Sequence, residues 1–226
     1  MSFVSSVLKL FEPIITRLQF TRSRRLLSAV LWGFSVATLA ACGGSQWRDL
    51  EVSEGAFAVL MRGEPHYVRH EIDTPAGKMT AHLYSSDRPD SYYAVGYADY
   101  PLALVAAAPP EKLFAGIRDT WIRRIEGRIT ASDTSLTLAG KHPGLEFSAE
   151  GTSARGSKVA GQDAAGKPIE TFVQARLYLV DQRLYQVVAM GRKGEVPQGD
   201  VNRYLKSFRL VAQGEVGSIR IDPRGK

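Results

Sequence analysis

Ser91-Tyr92-Tyr93-Ala94-Val95-Gly96-Tyr97-Ala98-Asp99-Tyr100 is the stretch on which the fold turns. A strand packed on one side alternates apolar and polar residues, whereas one covered on both sides does not. Here the odd positions are Tyr93, Val95, Tyr97 and Asp99, and the even ones are Tyr92, Ala94, Gly96, Ala98 and Tyr100. Neither set is polar, so both faces of this strand are expected to be covered. The small residues on the even face leave room for a helix to approach closely. The stretch therefore reads as a strand inside an α/β/α sandwich.

On its amino-terminal side, strand patterns run from Ala56 to Met61, His66 to Ile72 and Lys78 to Tyr84. Arg62-Gly63-Glu64-Pro65, Thr74-Pro75-Ala76-Gly77 and Ser85 to Asp90 separate them, and these turn residues predict three antiparallel connections. Beyond Pro109-Pro110 the period changes from two to 3.6. Leu113, Phe114, Ile117, Trp121, Ile122 and Ile125 form an apolar stripe that Gly127 ends, which predicts an amphipathic helix. Strand patterns return at Arg128 to Ala139, Leu145 to Ala149, Glu170 to Val180 and Arg183 to Met190, the last two joined across Asp181-Gln182. Val173, Ala175, Leu177 and Leu179 mark one core face. A second helix follows Pro197, with Val201, Tyr204, Leu205 and Phe208 on its stripe. The order is four strands, a helix, four strands and a helix, an α+β chain with a mainly antiparallel central sheet.

The domain is expected to span residues 47–212, with a flexible insert at 151–168 and a loose tail at 213–226. Residues 1–41 read as a signal peptide. Arg22, Arg24 and Arg25 precede an apolar run from Leu26 to Leu39, and Leu39-Ala40-Ala41-Cys42 closes it. This pattern resembles the bacterial lipoprotein signal sequence over roughly residues 22 to 43. The resemblance implies cleavage between Ala41 and Cys42, acylation of the Cys42 thiol, and a lipidated tether at 42–46. A single acyl chain binds a membrane marginally, whereas the several chains implied here hold it durably. The apolar run of about 14 to 16 residues is shorter than the roughly 20 needed to cross a bilayer. Export through the general or the twin-arginine route is open, since Ser23-Arg24-Arg25-Leu26-Leu27 approaches the twin-arginine pattern. Gly43 follows Cys42 where aspartate would favour the inner membrane, so the outer membrane is expected.

Cys42 is the sole cysteine, so the domain has no internal disulfide and depends on its hydrophobic core. The leader also carries most of the excess positive charge. Residues 1–41 hold five basic residues and one acid, which takes the chain's 29 basic and 23 acidic residues to 24 and 22 in the exported part. A net charge of +2 with scattered basic residues argues against nucleic-acid binding.

Four stretches carry a second resemblance: Glu54 to Pro65, Tyr93 to Pro101, Arg183 to Gln186, and Tyr204 to Phe208. They look like a group of bacterial proteins similar in fold to PsbP, the extrinsic photosystem II subunit, and to a Ran-binding nuclear import factor. The resemblance covers roughly residues 47 to 210 and implies a PsbP-like sandwich acting as a binding or assembly module. It transfers no functional residue.

Catalytic patterns are weak. Gly161 to Lys167 matches G-x-x-x-x-G-K, but Pro168 replaces the serine or threonine that holds magnesium, and a strand rather than a helix follows. His66 and His70 share a strand face, and pairing about the Thr74 to Gly77 turn places His82 nearer Arg69, so no metal or cofactor site is expected. Asp99 ends an aromatic strand and is either a perturbed carboxylate or a hydrogen-bond anchor. With Tyr97 and Tyr100 it is the candidate ligand or partner surface. The expected function is a lipid-anchored extracytoplasmic module facing the periplasm with a protein partner. The alternative is a small-ligand-binding protein or enzyme with a pocket near Asp99.

Overall fold

The computed structural model describes residues 47–74, 77–152 and 168–211. The expected leader at 1–41, the expected tether at 42–46, most of the 151–168 insert and the 213–226 tail lie outside the described residues. The strands are β1 (Trp47–Val52), β2 (Phe57–Arg62), β3 (His66–Thr74), β4 (Gly77–Asp87), β5 (Ser91–Asp99), β6 (Arg128–Asp133), β7 (Thr137–Leu138), β8 (His142–Gly151), β9 (Thr171–Val180), β10 (Arg183–Arg192) and β11 (Arg209–Leu210). The helices are α1 (Leu102–Ala106), α2 (Pro110–Arg124) and α3 (Gln198–Ser207). An eight-stranded sheet runs β3-β4-β5-β10-β9-β8-β6, with β7 also on β8, and β1-β2-β11 forms a separate three-stranded sheet. Every pairing is antiparallel, so the chain is α+β as its pattern predicted.

Hydrophobic cores lie on both faces of the large sheet. On one, Phe114, Ile117, Trp121 and Ile125 pack over Ala94, Ala98, Val173, Ala175, Leu177 and Val188. On the other, Val201, Tyr204 and Leu205 of α3 and Phe57, Val59 and Met61 of β2 cover Tyr93, Val95, Tyr97 and Val187. The small residues of β5 have the expected consequence. Trp121, Ala94 and Gly96 line a residual cavity of only about 10 Å³, and the Trp121 Nε1–H donates to Gln186 Oε1 at 3.4 Å. Pro110 opens α2 at the position where its missing N–H costs nothing. The Gly127 N–H donates to Ile122 O at 3.0 Å and closes it.

Three expectations are corrected. β2 does not pair with β3. Phe57, Ala58, Val59 and Met61 are all 0 % exposed, a burial that a strand on the large sheet's solvated edge cannot have, and Gly63 at φ +84° turns the chain from one sheet to the other. The single strand expected from Arg128 to Ala139 is two. A bulge between Ile129 and Ala131 bends β6, and Asp133 Oδ1 then accepts from the Ser135 N–H at 2.8 Å and its hydroxyl at 2.6 Å, ending the strand. The strands do not begin at Ala56: Trp47–Val52 forms β1 ahead of it, and α1 has only five residues, too few for its period to register.

Where α2 returns to the sheet, Gly127 and Gly151 allow two backbones to meet. The Thr152 N–H donates to Ile125 O at 3.1 Å, and a Cβ at Gly151 would overlap that carbonyl. Gly151→Ala is therefore expected to cost at least about 2 kcal/mol in urea unfolding, whereas the same change at exposed Gly199, which meets nothing, should cost little.

Candidate functional site

Register places Arg183 of β10 directly opposite Asp99 of β5. Its Nε and Nη2 donate to Asp99 Oδ1 and Oδ2, each at 2.6 Å, in a bidentate pair. Its third nitrogen, Nη1, donates to the Glu54 carbonyl at 2.9 Å. The guanidinium lies 5.0 Å from the Tyr97 ring centroid. Tyr97 in turn stacks on His82 of β4, with centroids 4.4 Å apart and planes 5° apart. His82 Nδ1 and the Tyr67 hydroxyl of β3 are hydrogen-bonded at 2.8 Å. Four adjacent strands thus contribute one row, Tyr67–His82–Tyr97–Arg183, that runs from the sheet edge to its centre.

Pairing explains the alignment. His82 is opposite Tyr97 and Arg69 is opposite His82, so alternate residues of β3, β4 and β5 share this face. The turn at Ser53–Ala56 closes over the row. The Tyr185 hydroxyl donates to Gly55 O at 2.7 Å, and Gly55 lies against the Phe57 and Tyr97 rings so closely that a Cβ would overlap both. Ala56 accepts a left-handed φ of 53° to complete the turn.

Burial dominates the proton affinities here. It holds the His82 imidazole below its ordinary range, and Arg69 and Arg183 add to that effect while Glu54 and Asp99 oppose it. Burial, with Tyr67 and Glu54, pushes Tyr84 up to about 12. Burial also raises Tyr97. Donation to the Asp99 carboxylate raises Arg183 further above its already high range. At neutral pH the row therefore holds a neutral imidazole and a carboxylate engaged through both oxygens. Such an arrangement is suited to holding a surface rigid. Proton transfer to a substrate would first require Asp99 to give up Arg183.

The residues expected to form one surface separate. Tyr97 lies in this row, Asp99 anchors its end through the neighbouring strand, and Tyr100 is 2 % exposed in the core beneath α2. Its hydroxyl is raised by burial alone. His66 and His70 pair with Ser85 and Ala81, which puts them on the sheet face opposite His82. Among the described residues no three His, Cys, Asp or Glu side chains gather for a metal. The cavity of about 10 Å³ under α2 lies on the far face from Asp99 and admits at most one water, against the roughly 300–1,000 Å³ of a small-molecule site. Cys42 and Ala41, like the Gly161 to Lys167 motif, lie outside the described residues. Tyr67 carried no sequence signal and Arg183 only its place in the Arg183 to Gln186 stretch, although the turn-centred register that put His82 beside Arg69 was present.

Three outcomes test this geometry. Asp99→Ala removes a pair whose carboxylate side is 59 % exposed, and should cost up to about 1 kcal/mol in urea unfolding. Arg183→Ala also strands the Glu54 carbonyl and the Tyr97 face, and should cost roughly 1–3 kcal/mol. Because the His82 pKa is lowered on folding, its contribution is intact above the unfolded value near 6.5. It is lost as pH falls below that value toward the folded one, since the unfolded chain takes the proton first. Stability measured from pH 7 to 5 should fall, and His82→Gln should flatten the slope.

No protein-family model and no curated protein matches the chain. Among solved structures it is similar to the Ran-binding protein Mog1p of Saccharomyces cerevisiae, at 11 % identity over 74 % of this chain and 96 % of that one, with a TM-score of 0.43. It is also similar to PA94, a protein of unknown function from Pseudomonas aeruginosa, at 6 % identity over 69 % and 89 % of the two chains, with a TM-score of 0.33.

Proposed function

We propose that the chain is a lipid-anchored extracytoplasmic binding or assembly module, held at the outer membrane through Cys42 and presenting a PsbP-like α/β/α sandwich to a protein partner in the periplasm. The observation that carries binding over catalysis is the closure of Asp99. Both its oxygens are engaged by Arg183, and the adjoining imidazole is stacked and hydrogen-bonded, so the side chains that a catalytic pocket would use are committed to one another. What the row offers solvent is aromatic, with Tyr67 48 % exposed at its outer end. The sandwich reading draws on α2 and α3 covering opposite faces of the large sheet, the second together with the small sheet. The anchor reading draws on Arg22 to Cys42, where a basic flank, a short apolar run and small residues precede the one thiol. A near-neutral exported part favours a protein partner over nucleic acid.

Cys42→Ala decides the anchor. The native chain should pellet with membranes and incorporate labelled palmitate, while the variant should move to the soluble fraction unlabelled. Membrane retention that does not change would overturn the proposal. Crosslinking in the same membranes should recover one stoichiometric protein with the native chain, and a co-purified small molecule in its place would favour the pocket reading.

A further inference from the structure

The two edges of the large sheet differ. β6 is bent by its bulge, a common device for discouraging edge pairing. β3 has none: nine residues from His66 to Thr74 pair in unbroken register with β4 on one side, and among the described residues no strand pairs on the other. It contains no proline and no lysine, and it carries Tyr67 and Val68, 48 % and 38 % exposed. Such an edge is a template for another strand.

The sequence of β3 selects which strand. We propose that β3 pairs antiparallel with β3 of a second copy of this chain, about a twofold axis through His70, joining two large sheets into one. In that register Arg69 of each copy lies opposite Glu71 of the other, Val68 opposite Ile72, and Tyr67 opposite Asp73. Arg69 and Glu71 are 60 % and 63 % exposed and only 3.6 Å apart within one strand, so four charges of alternating sign would meet across the axis. Odd residues face odd and even face even, as an antiparallel ladder requires. A slip of two residues either way sets Arg69 on Arg69 or Glu71 on Glu71, and like charges directly opposite are unfavourable. The complementarity thus specifies the register as well as the partner. An isologous contact of this kind closes on itself as a dimer and leaves β6 out of the pairing. On the odd face, Tyr67 of each copy, the exposed end of its row, would lie on the same side of the joined sheet.

Sedimentation equilibrium of the full chain in detergent, across the micromolar range, measures the association. The native chain should dimerise. Arg69→Glu and Glu71→Arg, each at an exposed side chain, should weaken the dimer by at least about tenfold, because two attractive pairs per dimer become repulsive. The double variant, with the charges exchanged, should regain most of the native affinity. His70→Cys should form a reducible dimer under mild oxidation, since opposed residues on antiparallel strands lie within disulfide reach. Leu102→Cys, exposed and on another element, should give no such dimer. A monomeric native chain, or a dimer indifferent to both single reversals, would overturn the proposal.

Discussion

Antiparallel pairing of β5 with β10 is the contact through which the two halves of the molecule become one. It runs over nine residue pairs, from Asp99 opposite Arg183 to Ser91 opposite Gly191. Both strands are buried on both faces, so each side chain along them is committed to one core or the other. A slip of one residue would exchange the faces. Tyr93, Val95 and Tyr97 would then press toward Trp121, where only Ala94, Gly96 and Ala98 leave room, and those small residues would face the aromatic cluster of Phe57 and Phe208 and leave it underfilled. Steric cost and lost burial therefore hold this register together, and the covering layers follow it: α2 on the small-residue face, and α3 with the small sheet on the aromatic one.

The same pairing creates the candidate site. Asp99 and Arg183 are 84 residues apart in the chain and meet only because β5 and β10 are neighbours. Once they meet, the guanidinium divides its donors between a carboxylate and the Glu54 carbonyl and offers its face to Tyr97. This arrangement ties the Ser53–Ala56 turn, the small sheet and the large sheet together at one point. The ion pair itself is partly exposed and contributes modestly. Its geometric effect is larger, because it leaves a row of rings with one exposed member, Tyr67, at an unprotected edge.

Much of the local structure was legible. The Thr74 to Gly77 turn set Arg69 opposite His82, the Asp181-Gln182 turn set Val180 opposite Arg183, and the stripes after Pro110 and Pro197 marked α2 and α3 with their buried residues. Each is a short-range property in which a turn type or a period of 3.6 leaves a local trace. β2 was legible as a strand and not as a member of the small sheet, since alternation says nothing about which strand is the neighbour. Asp133 and Ser135 ended β6 through side-chain bonds that resemble ordinary polar sequence. Of the site, Asp99 and Tyr97 stood out by their place on an aromatic strand, whereas Tyr67 and Arg183 looked like routine sheet residues.

The sequence by itself determined that Ser91 to Tyr100 has no solvated face, that helices approach the sheet where its residues are small, and how the hairpins at Thr74 to Gly77 and Asp181-Gln182 close. These follow from side-chain size and backbone period, which the chain carries within ten or twenty residues. Tertiary structure alone decided that β2 leaves the large sheet and that Arg183 occupies both oxygens of Asp99. Those outcomes depend on which distant strands are neighbours, and that is settled by burying two whole faces at once.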